Sequence, residues 1–158
     1  MSLQIRRAET TEQIACVRVL FLDYLHFIEA YLGQTLSFQG TEREFADFPQ
    51  TYDALWLAEV NGDRVGAVGL KPFDDRTGEL KRLWVTPEGR GHGVGQALCQ
   101  ACIQGARDHG YARLLLDTDR GLTHANSVYE RLGFVDIDRY YDNPMDSRFM
   151  ALDLNPEH

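Results

Sequence analysis

Between residues 89 and 95 the chain sets four glycines in seven positions, Gly89, Gly91, Gly93 and Gly95. A strand-like run ends just before them at Pro87, and an amphipathic stretch begins just after. A helix that starts this way has unsatisfied amides in its first turn, with the positive end of the helix dipole behind them. Glycines let the backbone take positive φ and come close to an anion. Arg90 and His92 add side-chain donors. The implied chemistry is the binding of a phosphate or pyrophosphate. Two common nucleotide motifs fail. No Gly-Lys-Ser/Thr is present, and a dinucleotide fingerprint would need glycine where Gln96 or Leu98 stands. A flexible connection without a ligand is the bland alternative, and it leaves four glycines against a helix start without a purpose.

Around this loop the chain alternates strands and helices without repeats or a linker. Its 158 residues fit one domain, taken as 3–155. Gln4–Glu9 reads as a strand. Thr10 and Gln13 spell a capping box, and Ile14, Val17, Phe21, Leu25, Ile28 and Leu32 follow at helical spacing up to Gly33. A second stripe, Leu20, Tyr24, Phe27 and Tyr31, widens the apolar face, so the helix is deeply buried or its aromatic flank lines a pocket; burial is the expectation. A short helix is expected near Glu42–Asp47. Asn61-Gly62 marks a hairpin between strands at 54–60 and 64–73. Glu79–Thr86 is the next strand, and a helix runs from about Gly93 to His109. Leu114-Leu115-Leu116 centres a strand buried on both faces. A helix at 125–132 and strands at 134–140 and 147–154 complete the chain. The fold class is α/β (α+β): a mixed, mostly antiparallel twisted sheet of six to seven strands flanked by about four helices.

Composition narrows the function. Sixteen basic against twenty-four acidic residues give a net charge of −8, which disfavours nucleic acid as a partner. Three cysteines do not make a disulfide framework, and Cys99-x-x-Cys102 reads as two small apolar residues in a helix. There is no second half for a zinc site, so no metal is expected. No signal-like or membrane-spanning run is visible, and the expectation is a cytoplasmic protein with no membrane partner. A homodimer is left open.

At the loop, Arg90-Gly91-His92-Gly93-Val94-Gly95 resembles the Gln/Arg-x-x-Gly-x-Gly/Ala signature of the GNAT superfamily of acetyl-CoA-dependent N-acyltransferases. Glu79-Leu80-Lys81-Arg82-Leu83-Trp84-Val85-Thr86-Pro87 looks like that family's fourth strand, and Asn126 to Phe134 like its later helix and strand. The resemblance runs from about Ile5 to Leu154 and is weakest over Gly33–Ala54. It implies an N-acetyltransferase with acetyl-CoA as cosubstrate. A bulge in the fourth strand would open a slot for the pantetheine arm along Leu83, Trp84 and Val85. Amides from Arg90 through Gly91, His92, Gly93, Val94, Gly95 and Gln96 would hold the pyrophosphate. The N–H near Val85 would steady the developing oxyanion. Asn126 would lie beside the arm and Tyr129 near the thioester sulfur, as proton donor to the leaving thiolate. By periodicity alone Tyr129 reads as an aromatic filler; the resemblance gives it the acid role.

An attacking amine must be neutral, so a general base or water relay is needed. The resemblance points to Glu79; a plain ion pair with Lys81 is the alternative. His92 and His124 are lesser base candidates, and Asp117 is a candidate for touching substrate. Tyr140 to Asp146 would shape the acceptor mouth. Its aromatics and the acids Asp136, Asp138, Asp142 and Asp146 suggest a small cationic or amino-acid-like amine. A non-catalytic acyl-CoA-binding module and a protein or peptide N-acetyltransferase are the rival readings.

Overall fold

A computed structural model of the chain describes residues 2–33, 45–141 and 147–154. After β1 (Leu3–Arg7), the helix α1 (Thr11–Leu32) starts where the capping box foretells. Thr10 Oγ1 accepts from the Gln13 amide at 3.1 Å, and Gln13 Oε1 accepts from the Thr10 amide at 3.1 Å. Gly33 ends the helix in the left-handed conformation. β2 (Ala54–Val60) and β3 (Asp63–Asp74) form the hairpin turned by Asn61-Gly62. β4 (Thr77–Val85) follows, then a 3-10 turn at Pro87–Gly89 and α2 (Val94–His109). β5 (Arg113–Asp119), α3 (Thr123–Arg131), β6 (Val135–Ile137) and β7 (Ser147–Asp153) complete the order.

The seven strands make one sheet in the order β1-β2-β3-β4-β5-β7-β6. Each neighbouring pair is antiparallel except β4–β5, which the α2 crossover makes parallel. Side chains alternate between two cores. Trp56, Ala58, Leu80, Leu114 and Leu116 face α2 and α3, whereas Leu55, Leu57, Ala67 and Trp84 face α1. Cys99 and Cys102 are buried, unpaired thiols in the first of these cores, as the apolar reading of the pair requires. Leu114, Leu115 and Leu116 are all buried, as expected of a strand covered on both faces.

Three details differ from expectation. Among the described residues there are three complete α-helices rather than about four; of the helix expected at 42–47, residues 42–44 lie outside them, and Phe45 and Ala46 are helical. The strand expected at 134–140 pairs only over Val135–Ile137. The aromatic flank of α1 is not covered throughout: Phe27 and Tyr31 are exposed, and Tyr24 borders a cleft. Helical spacing identifies which residues share a face, but not whether anything lies over it.

The feature that shapes the site is a bulge in β4. Ala67 pairs with Trp84 and Gly69 with Lys81, so two steps along β3 match three along β4. The extra residue is accommodated by Arg82 at φ 62, in the left-handed region. That conformation costs a residue with a side chain on the order of 1–2 kcal/mol. β4 pairs with β5 only over Thr77, Gly78 and Glu79. Beyond Glu79 the two strands separate, while β5 stays paired with β7 as far as Asp119.

Candidate active site

The separated strands border a cleft that opens to solvent. Its walls come from both faces of the sheet. Leu80 and Tyr129 belong to the α2 and α3 side, and Tyr24, Lys81 and Asp117 to the α1 side. The parting of β4 from β5 therefore makes a passage through the sheet, with backbone groups of β4 along one edge.

The glycine loop lies at the far end of β4. Gly91 and Gly93 have φ of 85 and 74, so a side chain at either would strain the backbone. Gly93 is the N-cap of α2 and supplies no capping side chain. The first intrahelical bond runs from the Ala97 amide to the Gly93 carbonyl at 3.1 Å. The amides of Val94, Gly95 and Gln96 precede it and have no side-chain cap. Gly95 needs its hydrogen for neither strain nor packing, since a Cβ there would meet only Val85, at 3.9 Å. The space it leaves is where an anion can approach the uncapped amides. The residues present thus fit a diphosphate, and at Gly95 the nearest neighbour is Val85, on the strand that edges the cleft.

Arg90 is exposed, and its side chain leans on an aromatic wall. Its guanidinium stands 5.4 Å from the Trp84 ring centre and 6.0 Å from that of Phe27, and its Nε donates to the Val85 carbonyl at 3.4 Å. His92 and His124 are exposed. The Trp84 ring is buried between α1 and the sheet, and its Nε1 has no hydrogen-bond partner among the described residues. Leu83 lines the cleft.

Asn126 fastens α3 to the end of β5. Its Oδ1 accepts from Thr118 Oγ1 at 2.9 Å, and its Nδ2 donates to the carbonyls of Asp119 at 3.1 Å and Arg120 at 3.4 Å. One turn on, Tyr129 reaches the cleft, packed edge-on against Phe134. Its hydroxyl has no hydrogen-bond partner among the described residues. Burial first, and then the neighbouring Cys99, Tyr24 and Asp117, hold the phenol well above its ordinary pKa of 10.0. Tyr129 is therefore a protonated donor at neutral pH.

Glu79 is buried at the point where the strands part. Tyr140 Oη donates to its Oε2 at 2.7 Å, and Lys81 Nζ lies 3.7 Å from the same oxygen. Lys81 also lies 3.7 Å from Asp117 Oδ1, and Tyr141 Oη donates to Asp117 Oδ2 at 2.8 Å. Burial and the charges of Glu79 and Asp117 push the Tyr140 phenol far up, which keeps it a donor. The sequence suggested the Lys81 pairing but not the bridge to Asp117 or the tyrosine donors. Those contacts join residues far apart in the chain, with no local signal.

The acids named for the acceptor mouth fare less well. Arg148 grips Asp136 through two bonds, at 2.9 and 3.0 Å, and reaches Glu130 at 2.9 Å, so Asp136 ties β7 to β6. Asp142 to Asp146 lie outside the described residues, as does most of the expected mouth. No group of three metal-ligating side chains occurs among the described residues. No helix there is long and apolar enough to cross a membrane.

A splayed parallel seam beside a glycine-capped helix start agrees with the resemblance noted at Arg90–Gly95. The family model for GNAT acetyltransferases matches residues 21–134, most of the chain. The chain belongs to the GNAT acetyltransferase family. This acetyltransferase is 32% identical over 143 residues to an uncharacterised N-acetyltransferase of Schizosaccharomyces pombe, across 84% of this chain and 88% of that one. An acetyltransferase from Streptococcus agalactiae superposes with a TM-score of 0.74 at 27% identity, covering 96% of this chain and 98% of that one. A Salmonella typhimurium acetyltransferase solved with acetyl-CoA superposes with a TM-score of 0.70 over 99% of this chain and 96% of that one. At 19% identity the last likeness shows the fold alone. As a GNAT acetyltransferase, the chain is an acyltransferase enzyme.

Proposed function

We propose that this GNAT enzyme moves an acetyl group from acetyl-CoA to a primary amine on a small molecule, by direct attack within a ternary complex. The observation that carries this reading is the continuity of the uncapped amides at Val94–Gln96 with the open edge of β4 and the cleft bordered by Tyr129. Amides of the loop from Arg90 to Gln96 would hold the diphosphate, and backbone groups along Leu83, Trp84 and Val85 would pair with the arm. Asn126 keeps α3 in place, and so keeps Tyr129 at the cleft. Acetyl-CoA supplies an activated acyl group as a thioester.

The chain's residues then manage two protons. The amine nitrogen forms a bond to the acyl carbon as the carbon–sulfur bond breaks. The nitrogen's surplus proton passes to Glu79 through a water, with Asp117 facing the incoming amine. Tyr129 gives its proton to the departing sulfur. Tyr140, donating to Glu79, and Lys81, beside it, keep that carboxylate fixed in place. Each proton transfer is worth roughly 10²–10⁴ in rate, and holding both reactants together adds more. A screen of thiol release from acetyl-CoA across amino acids, polyamines and peptide N-termini tests the reading. Amine-dependent release supports it; binding of acetyl-CoA without release by any amine would make the chain a carrier-binding module instead.

A further inference from the structure

Of the sixteen basic residues in the chain, only Lys71 and Lys81 are lysines; the rest are arginines. A guanidinium stays protonated and is a poor nucleophile, whereas a lysine amine that has lost its proton attacks acyl groups. One of the two lysines stands in the cleft. Lys81 lines it together with Leu83 and Tyr129, in the open half of the β4–β5 seam. Its Nζ lies 3.7 Å from Glu79 Oε2 and 3.7 Å from Asp117 Oδ1. A primary amine of the chain itself thus shares the cleft with the proposed acid and stands beside the proposed base. Lys71 does not line the cleft. It pairs with Glu79 across the β3–β4 ladder, and its Nζ lies 5.6 Å from the Tyr52 ring centre. Both lysines are half-buried, so they differ in position and not in exposure.

We propose that Lys81 is a self-acetylation site: with acetyl-CoA bound and no acceptor present, the enzyme moves the acetyl group to its own Lys81. The inference rests on the acetyl-transfer reading above, because it uses the same thioester, base and acid. Both ion pairs of Lys81 are longer than a hydrogen bond, and its four-carbon stem is flexible, so charge holds the amine near Glu79 without fixing it there. The ammonium first releases one proton to water. Nζ then forms a bond to the acyl carbon as the carbon–sulfur bond breaks. Its second proton passes to Glu79, and Tyr129 gives one to the sulfur. Glu79 returns its proton to Tyr129 through water, which leaves one acetylated lysine, one thiol and one released proton. The acetylated side chain is a neutral amide, so it gives up the ion pairs with Glu79 and Asp117. It also sets an acetyl group in the cleft that an acceptor must enter.

The test is mass spectrometry of the intact chain and of its peptides after incubation with acetyl-CoA and no amine. Lys81 should gain the mass of one acetyl group at least about 10-fold faster than Lys71, the internal control. Tyr129→Phe should slow the gain at Lys81 by about 10²-fold, which uncatalysed acetylation by the thioester would not show. Lys81→Arg keeps a cation beside Glu79 and should abolish the gain in intact mass. Equal rates at the two lysines, a Lys81 rate unmoved by Tyr129→Phe, or a gain that persists in Lys81→Arg would overturn the inference. Calorimetric titration with acetyl-CoA and the amine screen above separate the two levels. Acetyl-CoA bound and amines acetylated, with Lys81 unmodified, defeats self-acetylation alone; acetyl-CoA not bound defeats the acetyl-transfer reading as well.

Discussion

The two halves of the β4–β5 seam are built from one pair of strands and behave oppositely. From Thr77 to Glu79 the strands are joined in parallel, with Leu114 and Leu115 of the facing strand buried. Beyond Glu79 one extra residue in β4 turns the strand away, and polar and ionisable groups, Lys81, Arg82, Asp117 and Tyr129, join aliphatic ones such as Leu80 and Leu83 along the cleft. Stability resides where the ladder is closed, and chemistry where it is open. The difference teaches that the cleft is not a gap left by poor packing. It is produced by a single local insertion and flanked on both sides by ordered structure.

That division can be broken or sharpened by substitution. Glu79→Gln, at the junction, keeps an acceptor for Tyr140 but no base; kcat should fall about 10²–10⁴-fold with little change in carrier affinity. Leu114→Ala, in the closed half, should cost about 2–5 kcal/mol of unfolding free energy by denaturant titration. Its kcat per folded molecule should stay within about 3-fold of the parent, if the closed half serves stability alone. Tyr129→Phe removes a hydroxyl that no described protein group holds, so melting should be unchanged. Pre-steady-state transfer should slow by about 10²-fold, the lower end for a proton donor. Unchanged turnover would remove Tyr129 from the acid role. Gly95→Ala should move two readouts in opposite directions. Helix propensity favours alanine by up to about 1 kcal/mol, whereas the new methyl enters the anion space and weakens acetyl-CoA binding about 10-fold. Equal binding by calorimetry would mean that the ligand does not approach Gly95.

What was legible in the sequence was local. Thr10 and Gln13 cap a helix through bonds spanning three residues, and Asn61-Gly62 closes a hairpin through its own dihedral preferences. The glycine loop announced an anion site because positive φ and an uncapped helix start are properties of a short segment. The bulge was different. The resemblance implied one, but no residue near Arg82 signals left-handed backbone; it follows from the register of β4 on β3. The exposed flank of α1 and the capture of Asp136 by Arg148 are likewise matters of what the fold brings alongside. Periodicity placed Tyr24 on a face, and only the parting of the strands made that face a wall of the cleft.

The central claim is that acetyl-CoA lies along the open half of the seam with its diphosphate on the start of α2. Backbone amide resonances followed during titration with acetyl-CoA test it most directly. The largest shifts should fall on Gly91 to Gln96 and on Leu83 to Val85, with Thr77 to Glu79 nearly still. Shifts that spare those two segments, or that centre on the closed half, would contradict the account.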